Sequence, residues 1–330
     1  MSRLTESNPS PTSNTSGYRA FFHRYTAWLY ALWKFSRPHT IIGTTLSMVS
    51  LYTIAIALAS TSLAQAFSTT VPDLFIAWLA CLCGNIYIVG LNQTQDVEID
   101  RINKPHLPIA SGEFSLRTGW LIVLITGAIA LVIPPFQSVA LTATVWISLA
   151  IGTAYSLPPI RLKRHPLWAS LCIFTVRGVV VNLGLFAHFY ARLGEPFAVP
   201  TAIWILTLFV LVFTFAIAIF KDIPDLEGDR RYNITTFTVQ LGPQAVFNLT
   251  LWVLTACYSG MMLTSLVLPT LNLGVILISH SFILVLLWVK STKVDLSNTV
   301  AIAQFYQFIW KLFFLEYLLF PIACFTASSS

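Results

Sequence analysis

Nine long apolar runs constrain the fold of this chain more than any other feature of its sequence. They lie at about 39–59, 72–93, 117–133, 138–156, 167–189, 201–221, 244–267, 270–289 and 304–325. A helix needs about 20 apolar residues to cross a bilayer. Only 10% of the residues are charged, whereas soluble domains carry about 25%. The sequence therefore predicts an all-α polytopic membrane protein, a bundle of nine transmembrane helices.

Composition along the chain predicts three parts. Residues 1–17 are rich in Ser, Thr, Asn and Pro and are expected to form a disordered tail, without the pattern of a secretory signal. Residues 18–38 mix aromatic and basic side chains, which suits either an amphipathic helix in the headgroup layer or an ordinary juxtamembrane helix. Residues 39–326 are predicted to form a single nine-helix domain.

The positive charges segregate to one side of the predicted bundle. With the N-terminal side called side A, nearly all of the 19 Lys and Arg residues fall on it. Arg192 alone falls on the opposite side, and Arg177 and Lys311 fall within helices. The positive-inside rule makes side A cytoplasmic, or its organellar equivalent. The net charge of +6 thus reflects membrane topology, and the sequence offers no basic face for nucleic acid.

Two acidic segments, 92–100 and 221–229, each follow an apolar run and fall on side A. Together they contain seven of the 13 carboxylates, and carboxylates at a membrane are costly and commonly functional. In each segment the spacing of three or four residues favours one helical face, provided that the preceding helix continues. The residues on these faces are Asn92, Asp96 and Asp100 in the first segment, and Asp222, Asp225 and Asp229 in the second.

Carboxylates on one helical face repel each other unless a cation lies between them. Magnesium takes one or two carboxylates together with phosphate oxygens and water, so two such segments could hold magnesium ions and a diphosphate. The cations expected to complete this clamp are Arg37, Lys104, Arg161, Lys163 and Lys221. A single segment would equally suit a solvated loop. Glu98 and Glu227 fall off the two faces and are expected to meet water.

Three further residues are candidates for substrate contacts. Tyr155 ends the fourth predicted helix, where it could donate a hydrogen bond to phosphate or serve as an interfacial tyrosine. Arg177 lies within a membrane span, with Asn182 five residues later. An intramembrane arginine faces the interior of its bundle, where it either binds an acidic substrate or pairs with an acidic side chain. Lys311 and Glu316 are expected to be structural or interfacial.

The paired acidic segments resemble the UbiA superfamily of intramembrane prenyltransferases. Longer phrases are similar to its homogentisate phytyltransferase group, found in cyanobacteria and plastids. They are FSRPHTIIGT at 35–44, DVEIDRINKPHLPIASGEFS at 96–115, AYSLPPIRLKR at 154–164 and FYQFIWKLFFLEY at 305–317. The sequence departs from the wider superfamily at two places and matches this group at both. These places are Gln93 and the run His106-Leu107-Pro108.

The resemblance implies a bundle around a central cavity that is open laterally to lipid. It implies Mg2+ and diphosphate binding by Asn92, Asp96, Asp100, Asp225 and Asp229, with diphosphate contacts from Arg37, Tyr155 and Lys163. The implied reaction moves a phytyl group from phytyl diphosphate to homogentisate and releases CO2 and diphosphate. Its product would be 2-methyl-6-phytyl-benzoquinol, a tocopherol precursor. The implied partners are these two substrates and membrane lipid, without an obligate protein partner, in a cyanobacterial-type inner or thylakoid membrane.

Other functions fit parts of the pattern. Within the superfamily, the alternatives are solanesyl or geranylgeranyl transfer to homogentisate and chlorophyll synthesis. A cation-coupled secondary transporter also uses intramembrane carboxylates, although these usually lie near the midplane rather than at helix ends. A non-catalytic scaffold would need no paired acidic segments.

Overall fold

A computed structural model describes residues 14–59, 63–224, 226 and 236–328, and the described residues contain no strand. The helices are α1 (Asn14–Phe35), α2 (Pro38–Leu58), α3 (Leu63–Gln95), α4 (Val97–Asn103), α5 (Pro108–Ser111), α6 (Leu116–Val132), α7 (Val139–Ser156), α8 (Pro166–Phe174), α9 (Val181–Arg192), α10 (Thr201–Lys221), α11 (Phe237–Leu241), α12 (Pro243–Ser265), α13 (Leu273–Ser291) and α14 (Thr299–Ser328). Short 3-10 turns cover Pro134–Phe136 and Leu162–Arg164, and a π-helical segment, Thr175–Val180, joins α8 to α9.

The predicted number of membrane spans is confirmed. Among the described residues, nine helices are long and apolar enough to cross a membrane, with α8, the π segment and α9 forming one of them. Two spans begin earlier than the apolar runs predicted: α3 at Leu63 instead of residue 72, and α14 at Thr299 instead of residue 304. A helix can extend past the apolar region into the polar border, so hydropathy alone does not mark its end.

Helix α1 overlaps the predicted tail. It begins at Asn14, so the last four residues of the predicted disordered segment 1–17 are helical, while residues 1–13 lie outside the described part of the chain. At the other end of α1, Ala31 and Phe35 are buried against Leu91 of α3 and Ile109 of α5. The end of the predicted juxtamembrane segment therefore packs into the bundle instead of lying apart from it.

The last helix closes the bundle against the first membrane span. Helix α14 packs against α2, α10 and α13, and α3 packs along α6 and α7. Small residues permit close approaches elsewhere in the bundle, as is common between membrane helices. At Gly184 of α9, an added Cβ atom would lie 1.8 Å from the Thr144 Oγ1 atom of α7. Much of the interior between these helices is aromatic, with Phe213, Tyr258 and Phe320 fully buried.

Opposite side A, an ion pair ties two spans together. Arg192 at the end of α9 donates two hydrogen bonds to Asp73 of α3, at 2.8 Å from Nε and 3.0 Å from Nη2. The Asp73 side chain is only 10% exposed, and paired, parallel hydrogen bonds of this kind are strong. The one cation that the sequence places on this side is therefore used to fasten α3 to α9.

We expect Asp73→Asn to destabilise the protein, since it removes the charge opposite Arg192. Arg192 is 42% exposed, so solvent screening limits the loss to about 1 kcal/mol, or about 2 °C in thermal midpoint. The midpoint is measured on purified protein in detergent. Arg101→Gln, which breaks the exposed pair with Glu98, is the control and should not shift it. Equal midpoints for Asp73→Asn and Arg101→Gln would contradict a role of the Asp73 pair in stability.

Candidate active site

The first acidic segment lies at a break between two helices. Helix α3 ends at Gln95, Asp96 has the non-helical dihedral angles φ −112° and ψ 21°, and α4 begins at Val97. The predicted common face of Asn92, Asp96 and Asp100 required the helix to continue through them, and this condition is not met. The chain turns at Asp96 but keeps two helical bonds there. The Asp96 amide donates to the Asn92 carbonyl at 3.1 Å, and the Asp100 amide donates to the Asp96 carbonyl at 2.7 Å. Asn92 in the last turn of α3 and Asp100 in α4 therefore lie one helical turn before and after Asp96.

Three of the predicted cations converge on this segment. Asp96 accepts hydrogen bonds from Arg161 Nη2 at 2.8 Å and from Lys163 Nζ at 2.5 Å. Arg37, between α1 and α2, donates to the Asn92 Oδ1 atom at 3.2 Å. Residues from the start of α2 and from the loop after α7 therefore meet the end of α3. The result is a half-buried cluster of cations and oxygen ligands at the side A end of the bundle.

Arg37 and Arg161 also share a rare backbone conformation. Their φ angles are 53° and 39°, in the left-handed region that residues with a side chain seldom adopt. Such a conformation costs about 1 kcal/mol or more and is often found at functional sites. In both residues the strained backbone carries a guanidinium that contacts the first acidic segment. The chain therefore accepts local strain where it presents these two cations.

Asp100 is the most deeply buried residue of the cluster, with 4% of its surface exposed. Burial raises the pKa of its carboxyl group, and the charges of Lys104 and Arg37 partly oppose that rise. Its Oδ2 atom has no hydrogen-bond partner among the described residues. Lys163 shows the converse: burial lowers its pKa, and its hydrogen bond to Asp96 opposes the change. An additional cation beside Asp100 would favour its ionised form.

The oxygen atoms of Asn92, Asp96 and Asp100 suit a hard divalent cation such as magnesium. The buried, unpartnered Oδ2 atom of Asp100 is an unused ligand of this type. Within the described residues, no three His, Cys, Asp or Glu side chains come close enough to form a metal site by themselves. The first acidic segment can therefore supply part of a magnesium site, and further ligands have to come from substrate, water or another segment.

The described residues include only part of the second acidic segment. Asp225, Asp229 and Glu227 lie outside the described residues. Asp222 follows the last residue of α10 and is half-buried, and the neighbouring Lys221 is exposed.

The remaining candidates near the first segment differ in burial. Tyr155, in the last turn of α7, is half-buried and lies within electrostatic range of Arg37 and Asp96. Lys104 ends α4 and is exposed. Glu98 faces water as predicted, with its side chain 83% exposed. Tyr155 and Lys104 thus both lie within electrostatic range of the cluster of cations and oxygen ligands.

Arg177 lies in the π segment, and its guanidinium carbon is 4.9 Å from the centre of the Trp310 ring and 5.8 Å from that of Phe313. No carboxylate among the described residues pairs with it. Asn182 is fully buried; its Nδ2 atom donates to the Gly178 carbonyl at 2.8 Å, and its Oδ1 atom accepts from Tyr317 at 3.1 Å. The prediction that Asn182 contacts substrate is therefore corrected, because its polar atoms bond within the protein.

Sequence reasoning gave no role to two residues beside the site. Gln93 is 1% exposed, and its Nε2 atom donates to the Phe35 carbonyl at 2.7 Å. It thereby fixes the end of α1 next to Asn92. The departure of Gln93 from the superfamily pattern was the only feature of the sequence that pointed to this position. His39 lies 5.6 Å from the Trp310 ring, centre to centre, and is exposed. It falls in one of the quoted phrases but has no distinctive spacing.

The last helix contains two charges of different character. Glu316 is 1% exposed and lies 3.3 Å from His280 of α13, as a buried structural contact. Lys311 is exposed beside a groove lined by Lys290 and Gln307. Both positions fit the predicted structural or interfacial roles.

Known proteins are similar to this chain along most of its length. The model of the UbiA prenyltransferase family matches residues 26–312. A homogentisate phytyltransferase of Synechocystis sp. is 56% identical over 299 residues, which are 90% of this chain and 96% of that protein. A homogentisate geranylgeranyltransferase of Hordeum vulgare is 39% identical, with 89% of this chain and 72% of that protein covered.

Solved structures share the fold at low sequence identity. A UbiA homolog from Archaeoglobus fulgidus, bound to GPP and Mg2+, is 17% identical with a TM-score of 0.58, and the match covers 90% of this chain and 99% of that one. The nine-span architecture and the match to the family model agree. The chain therefore belongs to the UbiA prenyltransferase family.

Proposed function

We propose that this prenyltransferase moves a phytyl group from phytyl diphosphate to homogentisate, with loss of CO2 and diphosphate. The observation that carries the choice of substrates is the 56% identity to the Synechocystis homogentisate phytyltransferase, across nearly the whole of both chains. Geranylgeranyl transfer is the second candidate, since the Hordeum vulgare relative with that name is 39% identical. The product of the first reaction would be 2-methyl-6-phytyl-benzoquinol.

The cation cluster supports the diphosphate half of this proposal. Arg37, Arg161 and Lys163 approach the first acidic segment from two loops, and all three are half-buried. In a site of low dielectric constant, such fixed cations stabilise the charge that develops on a leaving diphosphate. Asp96 holds two of them in place before substrate arrives, so the protein does not have to reorganise them during reaction.

Magnesium is the metal that we propose for this site. Asn92, Asp96 and Asp100 would provide oxygen ligands, together with Asp225 and Asp229 of the second segment. When bound, the metal would neutralise charge on the diphosphate leaving group. The A. fulgidus homolog was solved with Mg2+ and GPP, which agrees with this choice. The buried Oδ2 atom of Asp100 supports it independently, because it otherwise lacks a partner among the described residues.

The interior supports transfer of a prenyl group. Trp310 and Phe313 present aromatic faces near His39 and Arg177, and aromatic faces stabilise cations such as an allylic carbocation. An apolar groove of about 500 Å³ runs between α2 and α14, lined by Leu46, Val49, Leu318 and others. Such a groove suits a long apolar chain. The reaction would therefore take place between the polar side A end and this groove.

The position of the charges favours an enzyme over a cation-coupled transporter. Asp96 lies between the end of α3 and the start of α4 and contacts Arg161 and Lys163 of a basic loop, and Asp100 lies in the short helix α4. Transport sites usually lie near the membrane midplane. We place side A on the cytoplasmic or stromal face of a cyanobacterial-type inner or thylakoid membrane, in accordance with the positive-inside rule.

We expect Asp96→Ala to abolish magnesium-dependent release of diphosphate, because it removes a ligand and frees two cations. Removal of magnesium with a chelator should have the same effect on the unaltered protein. Diphosphate release is measured in membranes containing the prenyl donor and homogentisate. Glu98→Gln is the matched control, two residues away with an exposed side chain, and should keep full activity. Normal release by Asp96→Ala would contradict the proposed clamp.

Lys163→Gln should raise the KM for phytyl diphosphate by about tenfold, because a hydrogen bond to a charged group contributes about 1.5 kcal/mol. The KM for homogentisate should change less than twofold. The neighbouring Arg164 is exposed, so Arg164→Gln serves as the control for charge in the same loop. A similar KM for the prenyl donor in both variants would remove Lys163 from the diphosphate site.

The choice of prenyl donor is tested directly with purified protein in lipid. With homogentisate as acceptor, phytyl diphosphate should give a higher kcat/KM than geranylgeranyl or solanesyl diphosphate. A preference for geranylgeranyl diphosphate would replace the first candidate function by the second. Activity with chlorophyllide but not with homogentisate would overturn both.

A further inference from the structure

Arg177 is a cation inside a membrane span that has no anionic partner among the described residues. It lies in the π segment, within the span Leu167–Arg192, and retains partial exposure. Its contacts are the ring faces of Trp310 and Phe313. Ring faces compensate a buried positive charge only in part, and intramembrane charges are commonly found at functional positions. The surroundings of Arg177 in the described residues therefore lack one negative charge, and the side chain is partly exposed.

The position of Arg177 separates it from the diphosphate site. Arg37 contacts Asn92 in the first acidic segment. His39, two residues further along the chain, packs on the Trp310 ring at 5.6 Å. Trp310 in turn contacts Arg177 at 4.9 Å. An anion at Arg177 would consequently lie against the aromatic wall, whereas the diphosphate would lie at Arg37 and Asp96. The geometry supplies two anion sites with an aromatic surface between them.

Neighbouring residues hold the Arg177 side chain toward the Trp310 and Phe313 rings. A π-helical turn contains an extra residue, so it re-aims the side chains that it carries, and such turns are frequent at functional sites. At Gly178, an added Cβ atom would lie 2.3 Å from Leu211, so α10 packs closely on the other side of the segment. Asn182 bonds the Gly178 carbonyl and accepts a bond from Tyr317. Tyr317 lies on α14, which also carries Trp310 and Phe313.

We propose that Arg177 binds the carboxylate of the aromatic acceptor, with Trp310 and Phe313 against its ring, and that Asn182 and Tyr317 are positioning residues for Arg177. The proposal rests on the proposed function in one respect, namely that the acceptor is an aromatic acid. It makes Arg177 a determinant of acceptor specificity. It assigns no part of the diphosphate to this residue.

Acceptor binding can be measured separately from transfer. Homogentisate should raise the thermal midpoint of the unaltered protein without a prenyl donor, because a ligand that binds the folded state stabilises it. In Arg177→Gln that rise should disappear, while methylhydroquinone, a ring without the carboxylate, should act equally on both proteins. An equal response of the two proteins to homogentisate would overturn the proposal. Binding without transfer in the unaltered protein would overturn the proposed function alone.

Steady-state kinetics give the second readout. Arg177→Gln should raise the KM for homogentisate by about 10- to 100-fold, the value expected for a lost hydrogen bond between charged groups. The KM for phytyl diphosphate should stay within twofold. A selective rise in the KM for phytyl diphosphate would assign Arg177 to the diphosphate and overturn the proposal. The control is Lys311→Gln, which removes an exposed cation of α14 and should leave both constants unchanged.

The positioning residues have a test of their own. Tyr317→Phe removes only the hydroxyl group that donates to Asn182, and should raise the KM for homogentisate about fivefold without changing kcat. A merely structural role would lower the thermal midpoint and leave this KM unchanged, which would overturn the positioning role. Should Arg177→Gln fail to fold, Arg177→Lys keeps the charge but loses the forked geometry. An unchanged KM for homogentisate in Arg177→Lys would overturn the proposal as well.

Discussion

The contact on which the site depends is the one between Asp96 and its two cations, Arg161 and Lys163. It joins the end of α3 to the loop after α7, at 2.8 Å and 2.5 Å. All three side chains are less than a fifth exposed. Charges that are withdrawn from water in this way are stable only when they are compensated. The contact therefore fixes the distance between two parts of the chain that the apolar packing of the helices leaves undefined.

Two other features stabilise the surroundings of that contact. Gln93 bonds the Phe35 carbonyl and holds α1 against α3, which places Arg37 beside Asn92. Arg37 and Arg161 keep left-handed backbone conformations, a cost that surrounding packing has to offset. The polar end is thus assembled by a few specific bonds, whereas apolar and aromatic packing holds most of the rest of the bundle, together with the Arg192–Asp73 ion pair.

Negative and positive charges are also divided along the membrane normal. At side A, the cations exceed the carboxylates that pair with them in the described residues, which suits a substrate with several negative charges. On the opposite side, Arg192 forms an ion pair with Asp73. Inside the described part of the bundle, the Arg177 guanidinium lies against aromatic rings and has no carboxylate partner, and Glu316 lies beside His280.

The sequence by itself determined the number of spans, the side on which the acidic segments and basic loops lie, and the residues that resemble the UbiA pattern. Those properties follow from hydropathy and charge, which are local. Only the tertiary structure decided that α3 ends at Gln95, just before Asp96, that Asn182 bonds to Tyr317, and that Arg177 lies on Trp310. These depend on contacts between residues up to 135 positions apart, and no local pattern encodes the distance between helices.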